Sequence, residues 1–431
     1  MNRLLVAGGT VVDPVAGRAA AGDVLVDGEQ IAATGAPGTL EAGDAAVLDA
    51  RGLLVLPGLV DMHVHLREPG YEYKETIQTG VAAALAGGFT SLACMANTEP
   101  VNDSAAVTQY ILDRARIAQG ARVYPIGALS QGLRGERLAE IGEMHRAGIV
   151  GISDDGRPVI DAALMRRALE YSSMFGLPVI AHEEEPHLAA GGAMNEGVTA
   201  LRLGLRGIPA AAEEVMIARD LALARLTGGR LHVAHVSTRG AVALLREAKA
   251  QGLPVTAEVT PHHLFLTEEA VEGYGTNAKM APPLRTKADL AALRAGLADG
   301  TIDAIATDHA PHASVRKDVE FDQAAFGISM LETALPLVLG GVRAGWCDQD
   351  TALRALTDGP ARVLGITPNA DDWIAIDVGA TWTVSADALA TRGKNTPLLG
   401  RELRGRVVAA AVGGDVRFDG GAREETRAGV R

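Results

Sequence analysis

The chain has 431 residues, a formal net charge of −13 and a sequence pI near 5.4, and no block of Lys and Arg occurs anywhere along it. An acidic chain without basic runs argues against nucleic acid or an anionic membrane as partner and leaves small molecules as the expected ligands. Its two cysteines, Cys94 and Cys347, lie far apart without CxxC spacing, which excludes a disulfide framework and a thiolate zinc site.

The opening stretch, MNRLLVAGGTVVDP, has too short an apolar run for a signal peptide or a membrane span, and a cytoplasmic protein is expected. Residues 1–56 read as short β-like runs, Leu4 to Ala7, Asp23 to Val26 and Val47 to Leu48, punctuated by Gly, Pro and Asp. From Leu59 the rhythm changes. Apolar strand candidates at Leu59 to Met62, Thr90 to Met95, Arg122 to Ala128, Ile149 to Ile152, Pro178 to Ala181, Leu231 to Ala234, Pro254 to Val259 and Ile302 to Ala306 alternate with helical stretches. Those stretches include Glu75 to Ala86, Asp161 to Phe175, Glu213 to Leu226 and Arg239 to Ala250. Strands and helices alternating in this way predict an α/β fold with a (β/α)8 barrel, which takes roughly 250 residues. The rhythm lapses near Pro360, and β-like runs return from Trp373, including Val407 to Val412. The expected organisation is a barrel over residues 57–364 and a small β-rich domain built from residues 1–56 and 365–431.

Polar residues gather at the predicted C-terminal strand ends, the face on which barrel enzymes build their sites. His63 and His65 follow strand 1, Asn97 strand 2, Asp154 and Asp155 strand 4, His182 strand 5, His235 strand 6 and Asp308 strand 8. On extended backbone the i, i+2 pair His63 and His65 shares a face and can grip one ion. Four imidazoles with two carboxylates suffice for two divalent ions, and nitrogen plus oxygen donors suit zinc, with manganese or cobalt as alternatives. Two metals need a bridge. The chain has no lysine between Lys74 and Lys249 that could carry a carbamate there, so a carboxylate of the Asp154 and Asp155 pair must serve. Metal-bound water has a pKa of about 7 in favourable sites, so this is hydrolytic machinery, and Asp308 is placed to shuttle a proton between water and a leaving nitrogen.

Arg67, two residues past the metal pair, offers a fork of donors for a substrate carboxylate, with Asn97 completing the cradle. A salt bridge to Glu68 or Glu72 is the alternative. His145 in a helix and His187 in a polar loop read as solvated. His232 is expected to point away from His235 and pack against helices, while His262 and His263 suit a structural role or the mouth equally. The charged stretch Ser314 to Gln323 reads as a lid or a solvated loop.

The segments HVHLREPG, NTEPVND, SDDG, AHEE, HVAHVS, KMAPPLR and ATDHAPH, in this order, resemble the amidohydrolase superfamily and specifically bacterial type I dihydroorotases, from about Leu53 to Leu364. The resemblance implies that His63, His65 and Asp308 hold one zinc, His182 and His235 a second, and Asp155 bridges them. It implies two zinc ions per subunit, with one as the alternative. It further implies His65, Arg67, Asn97, His312, Phe326 and Gly327 as substrate contacts and Asp308 as general acid and base. The implied reaction is closure of N-carbamoyl-L-aspartate to L-dihydroorotate with loss of water in pyrimidine synthesis, by a homodimer or in complex with aspartate transcarbamoylase. The chain departs from the family at Ala281, where many relatives have Asn, and at Glu183, where Cys is common. Residues Asp371 to Thr381 match the usual β segment poorly. A related cyclic amidase acting on hydantoins, dihydropyrimidines or allantoin is the competing enzyme, though those rings lack a carboxylate for Arg67. A catalytically silent partner of aspartate transcarbamoylase would have lost ligands, and none is lost.

Overall fold

The computed structural model describes residues 3–420. Every residue of strands Leu59–Val64 and Phe89–Cys94 is buried, which is why they read as continuous apolar runs rather than alternating ones. Helices follow the strands with their ends fixed locally. Thr76 caps Ile77–Ala86 in a capping box with Thr79, Thr238 caps Arg239–Ala250, and Thr286 with Asp289 does the same for Lys287–Ala298. Helix Arg239–Ala250 buries Ala241, Val242, Leu245 and Ala248, the stripe a 3.6-residue period presents to one side.

All the pairings among the central strands are parallel. Leu59–Val64 pairs with Phe89–Cys94, and that with Arg122–Pro125. A bridge from Gly127 reaches Ile152, which bridges in turn to Val179. Strands Val179–Ala181, Leu231–Val233, Val255–Val259 and Ala304–Ile305 then pair in order, and His309 bridges back to Val64. Side chains from around this circuit, among them Met62, Ala93, Ile126, Ile180, Ala234 and Ala304, form one apolar cluster capped by Val363 and Leu364. Ile152 carries the fourth predicted strand as single bridges rather than a ladder.

The remaining strands form one eight-stranded sheet from both ends of the chain. Its order is Asp415–Asp419, Glu402–Val412, Trp373–Thr383, Leu54–Pro57, Arg3–Asp13, Arg18–Asp27 and Gln30–Gly35, with Ala46–Asp49 also on Arg3–Asp13. Leu54–Pro57 is the seam, parallel to Arg3–Asp13 and antiparallel to Trp373–Thr383. The stretch from Asp371, which matched its family pattern poorly, therefore contains a full strand. Trp373 to Ile376 are buried there. Pro360, where the rhythm lapses, is the third residue of helix Asp358–Leu364, a first-turn position at which the missing N–H costs no helical bond. Among the described residues no helix is long and apolar enough to cross a membrane.

Glu332, in the first turn of helix Leu331–Arg343, is buried and accepts hydrogen bonds from the N–H groups of Ala390 and Thr391. Burial pushes its carboxyl up from 4.5 to about 7 in spite of those two donors. Between these pH values the folded chain holds a proton that the unfolded chain releases, so this group lowers stability as pH rises through the window. Glu332→Gln removes the effect. Denaturant titrations should show the variant gaining about 3 kcal/mol on the parent between the two ends of the window, and parallel pH profiles would refute the assignment.

Candidate metal centre and reaction pocket

The circuit of strands delivers its polar residues to one end. His63 precedes the last residue of Leu59–Val64, His182 directly follows Val179–Ala181, His235 lies two residues past Leu231–Val233, and Asp308 three past Ala304–Ile305. Of the six non-glycine residues with positive φ among those described, three stand at this mouth: Arg67 (62°), His235 (34°) and Asp308 (45°). Backbone of this kind is costly and persists where the surroundings over-determine it, as at functional sites.

Two triplets, His63 with His65 and Asp155, and Asp155 with His182 and His235, each bring one donor atom per residue within 4.8 Å of the others. Asp155 Oδ1 lies 3.5 Å from His63 Nε2, 3.4 Å from His182 Nδ1 and 3.6 Å from His235 Nε2, and its Oδ2 lies 3.5 Å from His65 Nε2. Such separations are long for hydrogen bonds, yet they match the edge of about 3.3 Å expected between donors that share a tetrahedral ion at about 2.0–2.1 Å. His63 Nε2 is buried with no hydrogen-bond partner. The donor set therefore fits a metal. Asp308 adjoins the first triplet, its Oδ1 3.1 Å from His65 Nε2 and 3.6 Å from His63 Nε2. Burial works to raise the Asp155 carboxyl, but His63, His182 and His235 more than reverse it and hold it well below the usual carboxylate range. Asp154 turns the other way, to the N–H and hydroxyl of Ser130, and burial pushes it up to about 6.

The candidate ligands are held from behind. Glu258 Oε1 accepts from His63 Nδ1 at 2.6 Å, which leaves Nε2 bare for a metal, and its Oε2 lies 3.2 Å from His232 Nε2. His232 was expected to pack against helices. Instead it belongs to this polar chain, which continues to Thr256 Oγ1 at 2.9 Å. Glu258 was not singled out from the sequence, although a lone acid within the run VTAEV is the signal that could have found it. Asn97 accepts from His65 Nδ1 at 2.9 Å and donates to Asp155, so it orients ligands as well as lining the pocket.

A pocket of about 510 Å³ opens over this centre, lined also by Arg67, His312, Phe326, Gly327, Lys279 and Ala281. The Arg67 guanidinium is half-buried, and among the described residues its one hydrogen bond goes to the Pro311 carbonyl at 3.3 Å. Glu68 is taken by Arg114 and Glu72 by the Gly70 N–H, so neither pairs with Arg67. Gly327 has φ 135°, and a Cβ there would lie 2.9 Å from the Ala310 carbonyl and 3.0 Å from His312 Nε2. His312 binds the Phe326 carbonyl through Nε2 at 2.8 Å, and its Nδ1 is buried without a partner. Burial, then Arg67 and Lys317, push its pKa down to about 2, so the ring is neutral. Ala281 leaves its part of the wall without a side-chain hydrogen bond.

Residues 314–323 are anchored midway. Lys317 is buried and donates to the carbonyls of Thr276, Lys279 and Ala325, and burial lowers it to about 7. Around the mouth Arg67, Lys74, Lys279, Arg316, Lys317, Arg392 and Lys394 make no ion pair among the described residues, whereas Arg114, Arg219 and Arg246 elsewhere are paired. His145 lies in helix Ile141–Ala147 against Phe175, and His187 is exposed in the short helix Pro186–Ala189 beside Glu185. His262 and His263 are buried outside the pocket lining, and His263 binds Thr260 and the Pro282 carbonyl. Glu183 shares a small cavity behind His182 with Asp220, which Arg219 binds through two nitrogens. Burial pushes the Cys94 thiol up to about 12, which removes it as a nucleophile.

Residues 52–241 match the family model described as Dihydro-orotase-like. The chain is 55% identical over 426 residues to a dihydroorotase of Anaeromyxobacter dehalogenans strain 2CP-C, covering 97% of this chain and 98% of the relative. It is also 55% identical over 422 residues to a dihydroorotase of Pelotomaculum thermopropionicum, with 96% and 98% covered. The chain belongs to the dihydroorotase family. Among solved structures this dihydroorotase-family chain resembles L-hydantoinase (dihydropyrimidinase) from Arthrobacter aurescens, with a TM-score of 0.85 at 25% identity over 98% of this chain and 97% of that one. Dihydropyrimidinase from Brevibacillus agri NCHU1002 shares the fold, with a TM-score of 0.81 at 24% identity over 97% and 95%.

Glu258 gives this family member a test of ligand orientation. Replacing an orienting carboxylate typically costs 10- to 100-fold in metal affinity. Glu258→Gln should weaken retention against a chelator by about that factor while circular dichroism stays unchanged, and unaltered retention would show that Glu258 only fills space.

Proposed function

We propose that the chain interconverts N-carbamoyl-L-aspartate and L-dihydroorotate at this centre, with two zinc ions held by His63, His65, Asp155, His182, His235 and Asp308. The observation that carries the reading is a half-buried guanidinium without an acid partner among the described residues, Arg67, opening onto the same pocket as two imidazole triplets that share one carboxylate. We read the closed parallel circuit as a (β/α)8 barrel over residues 57–364, and the eight-stranded sheet as the small domain.

Divalent ions bound there would acidify water and polarise an amide carbonyl. The protein supplies the rest. Arg67 binds the substrate carboxylate through parallel N–H donors and so fixes the ring relative to Asp308. Asp308, ionised and adjoining the triplet, takes a proton from the attacking water and returns it to the departing nitrogen. Neutral His312 presents a bare Nδ1 to a substrate N–H. Gly327 lets the chain pass close behind that imidazole.

Metal content separates the two neighbouring acids. Asp155→Ala should lose bound metal and activity together, and Asp154→Ala should keep its metal; equal metal in Asp155→Ala and the parent would remove the bridge. Substrate choice tests Arg67 against the hydantoinase-like alternative that the structural neighbours raise. Removing one partner of a desolvated charge pair costs about 2–5 kcal/mol, so Arg67→Met should lower kcat/KM for dihydroorotate by roughly thirtyfold or more. Arg67→Lys should recover only part. The parent should turn over dihydrouracil, hydantoin and allantoin poorly. Equal rates on dihydrouracil and dihydroorotate would favour the general cyclic amidase.

A further inference from the structure

Beside the reaction pocket lies a second cavity of about 450 Å³ that shares with it one lining residue, His312. Lys317, Arg392 and Lys394 line it, together with a single carboxylate, Asp318. Lys317 directs its three protons to carbonyls, and Lys394 donates to the carbonyls of Leu389 and Thr391, so both ammonium groups are fixed in place without their charge being neutralised. Among the described residues the Arg392 side chain makes no hydrogen bond or ion pair, and neither the Ser314 hydroxyl nor the Asn277 side-chain amide has a partner. Below the pKa of about 7 to which burial lowers Lys317, three cations against one anion leave an excess of two positive charges, in a protein whose formal net charge at pH 7 is −13.

Fixed cations whose hydrogen bonds go only to neutral carbonyls create a potential that solvent screens poorly in a concave site. Adding free donors on a guanidinium, a hydroxyl and an amide gives what a compact dianion needs: charge to neutralise it and N–H or O–H groups for its oxygens. We propose that this cavity is a binding site for a small tetrahedral dianion of the phosphate-monoester class, separate from the reaction pocket. Arg392 supplies the mobile contact, Ser314 and Asn277 the neutral donors, and Lys317 and Lys394 the fixed charge. The proposal stands independently of the reaction assigned next door, because none of these residues belongs to the metal centre.

Inorganic sulfate is the probe, since it is a dianion at any working pH. Binding to the full-length metal-loaded protein is measured calorimetrically at pH 6, below the value to which burial lowers Lys317, with glycerol 3-phosphate and succinate as companion ligands. Sulfate and glycerol 3-phosphate should bind one site per chain. Arg392→Glu and Ser314→Asp, both exposed positions and safe for folding, should each weaken them at least tenfold. Arg67→Met, which removes the cation of the reaction pocket, should change the affinity less than threefold. Absence of saturable binding, or unchanged affinity in both Arg392→Glu and Ser314→Asp, would overturn the site. Loss of binding in Arg67→Met alone would place the anion in the reaction pocket instead, and succinate binding as tightly as sulfate would overturn the assigned class.

Discussion

The arrangement at the mouth depends on one buried carboxylate, Asp155, shared among four imidazoles at 3.4–3.6 Å. An ionised carboxylate removed from water is tolerated only when it is paired or coordinates metal. Here the neighbouring nitrogens are too distant for good hydrogen bonds and too numerous to be packing residues. The rings also cannot relax independently, because His63 is fixed by Glu258 and His65 by Asn97. What remains is a donor set that fits a metal, and the strand ends near His63, His182, His235 and Asp308 are where the circuit brings those donors together.

The second constraint is electrostatic. Elsewhere on the surface a number of basic residues meet acids, as Arg246 does with Asp299 and Arg202 with Glu272. Around the mouth they do not, and Lys74, lowered to about 8 by burial and then by Arg67 and Arg316, shows like charges held near one another. Such a cluster is unfavourable in the empty protein, since self-repulsion opposes the compact state. It is consistent with anionic ligands that supply the missing charge on binding.

Much of this was legible in the sequence, for a physical reason. Strands buried on both faces must be apolar, so a polar residue at or just beyond the close of such a run marks the strand end, and His63, His182, His235 and Asp308 each stand within three residues of one. Helix Arg239–Ala250 was readable to the residue because Thr238 caps it and its apolar stripe keeps the 3.6 period. What escaped depends on contacts between distant residues. Glu258 meets His63 across 195 positions and His232 across 26, and no local pattern records either meeting. The fourth strand was overestimated because Ile149 to Ile152 carries the composition of a strand while Ile152 alone makes bridges. Lys317 looked like one more charge in a solvated loop, but burial and three carbonyls make it the anchor of that loop.

The C-terminal segment between Trp373–Thr383 and Glu402–Val412 shows why the eight-stranded sheet matters to the mouth. Asn395 donates to the carbonyls of Ala310 and Gly327 and accepts from the His312 N–H and the Ser329 hydroxyl, clamping both loops that carry the proposed substrate contacts. Thr391 and the Arg392 N–H bind Glu75, and Thr391 Oγ1 lies 3.2 Å from His309 Nε2. His309 is the neighbour of Asp308, and its Nδ1 accepts from the Met330 N–H at 3.1 Å. A buried network in which each polar group is satisfied by a different segment fixes one arrangement, because moving any member leaves others unpaired at a cost of about 1–3 kcal/mol each. Displacing the sheet would therefore pull on residues 391–395, and through His309 and His312 on Asp308 and the substrate wall. The positive φ of Asp308 is held from outside the strand that carries it.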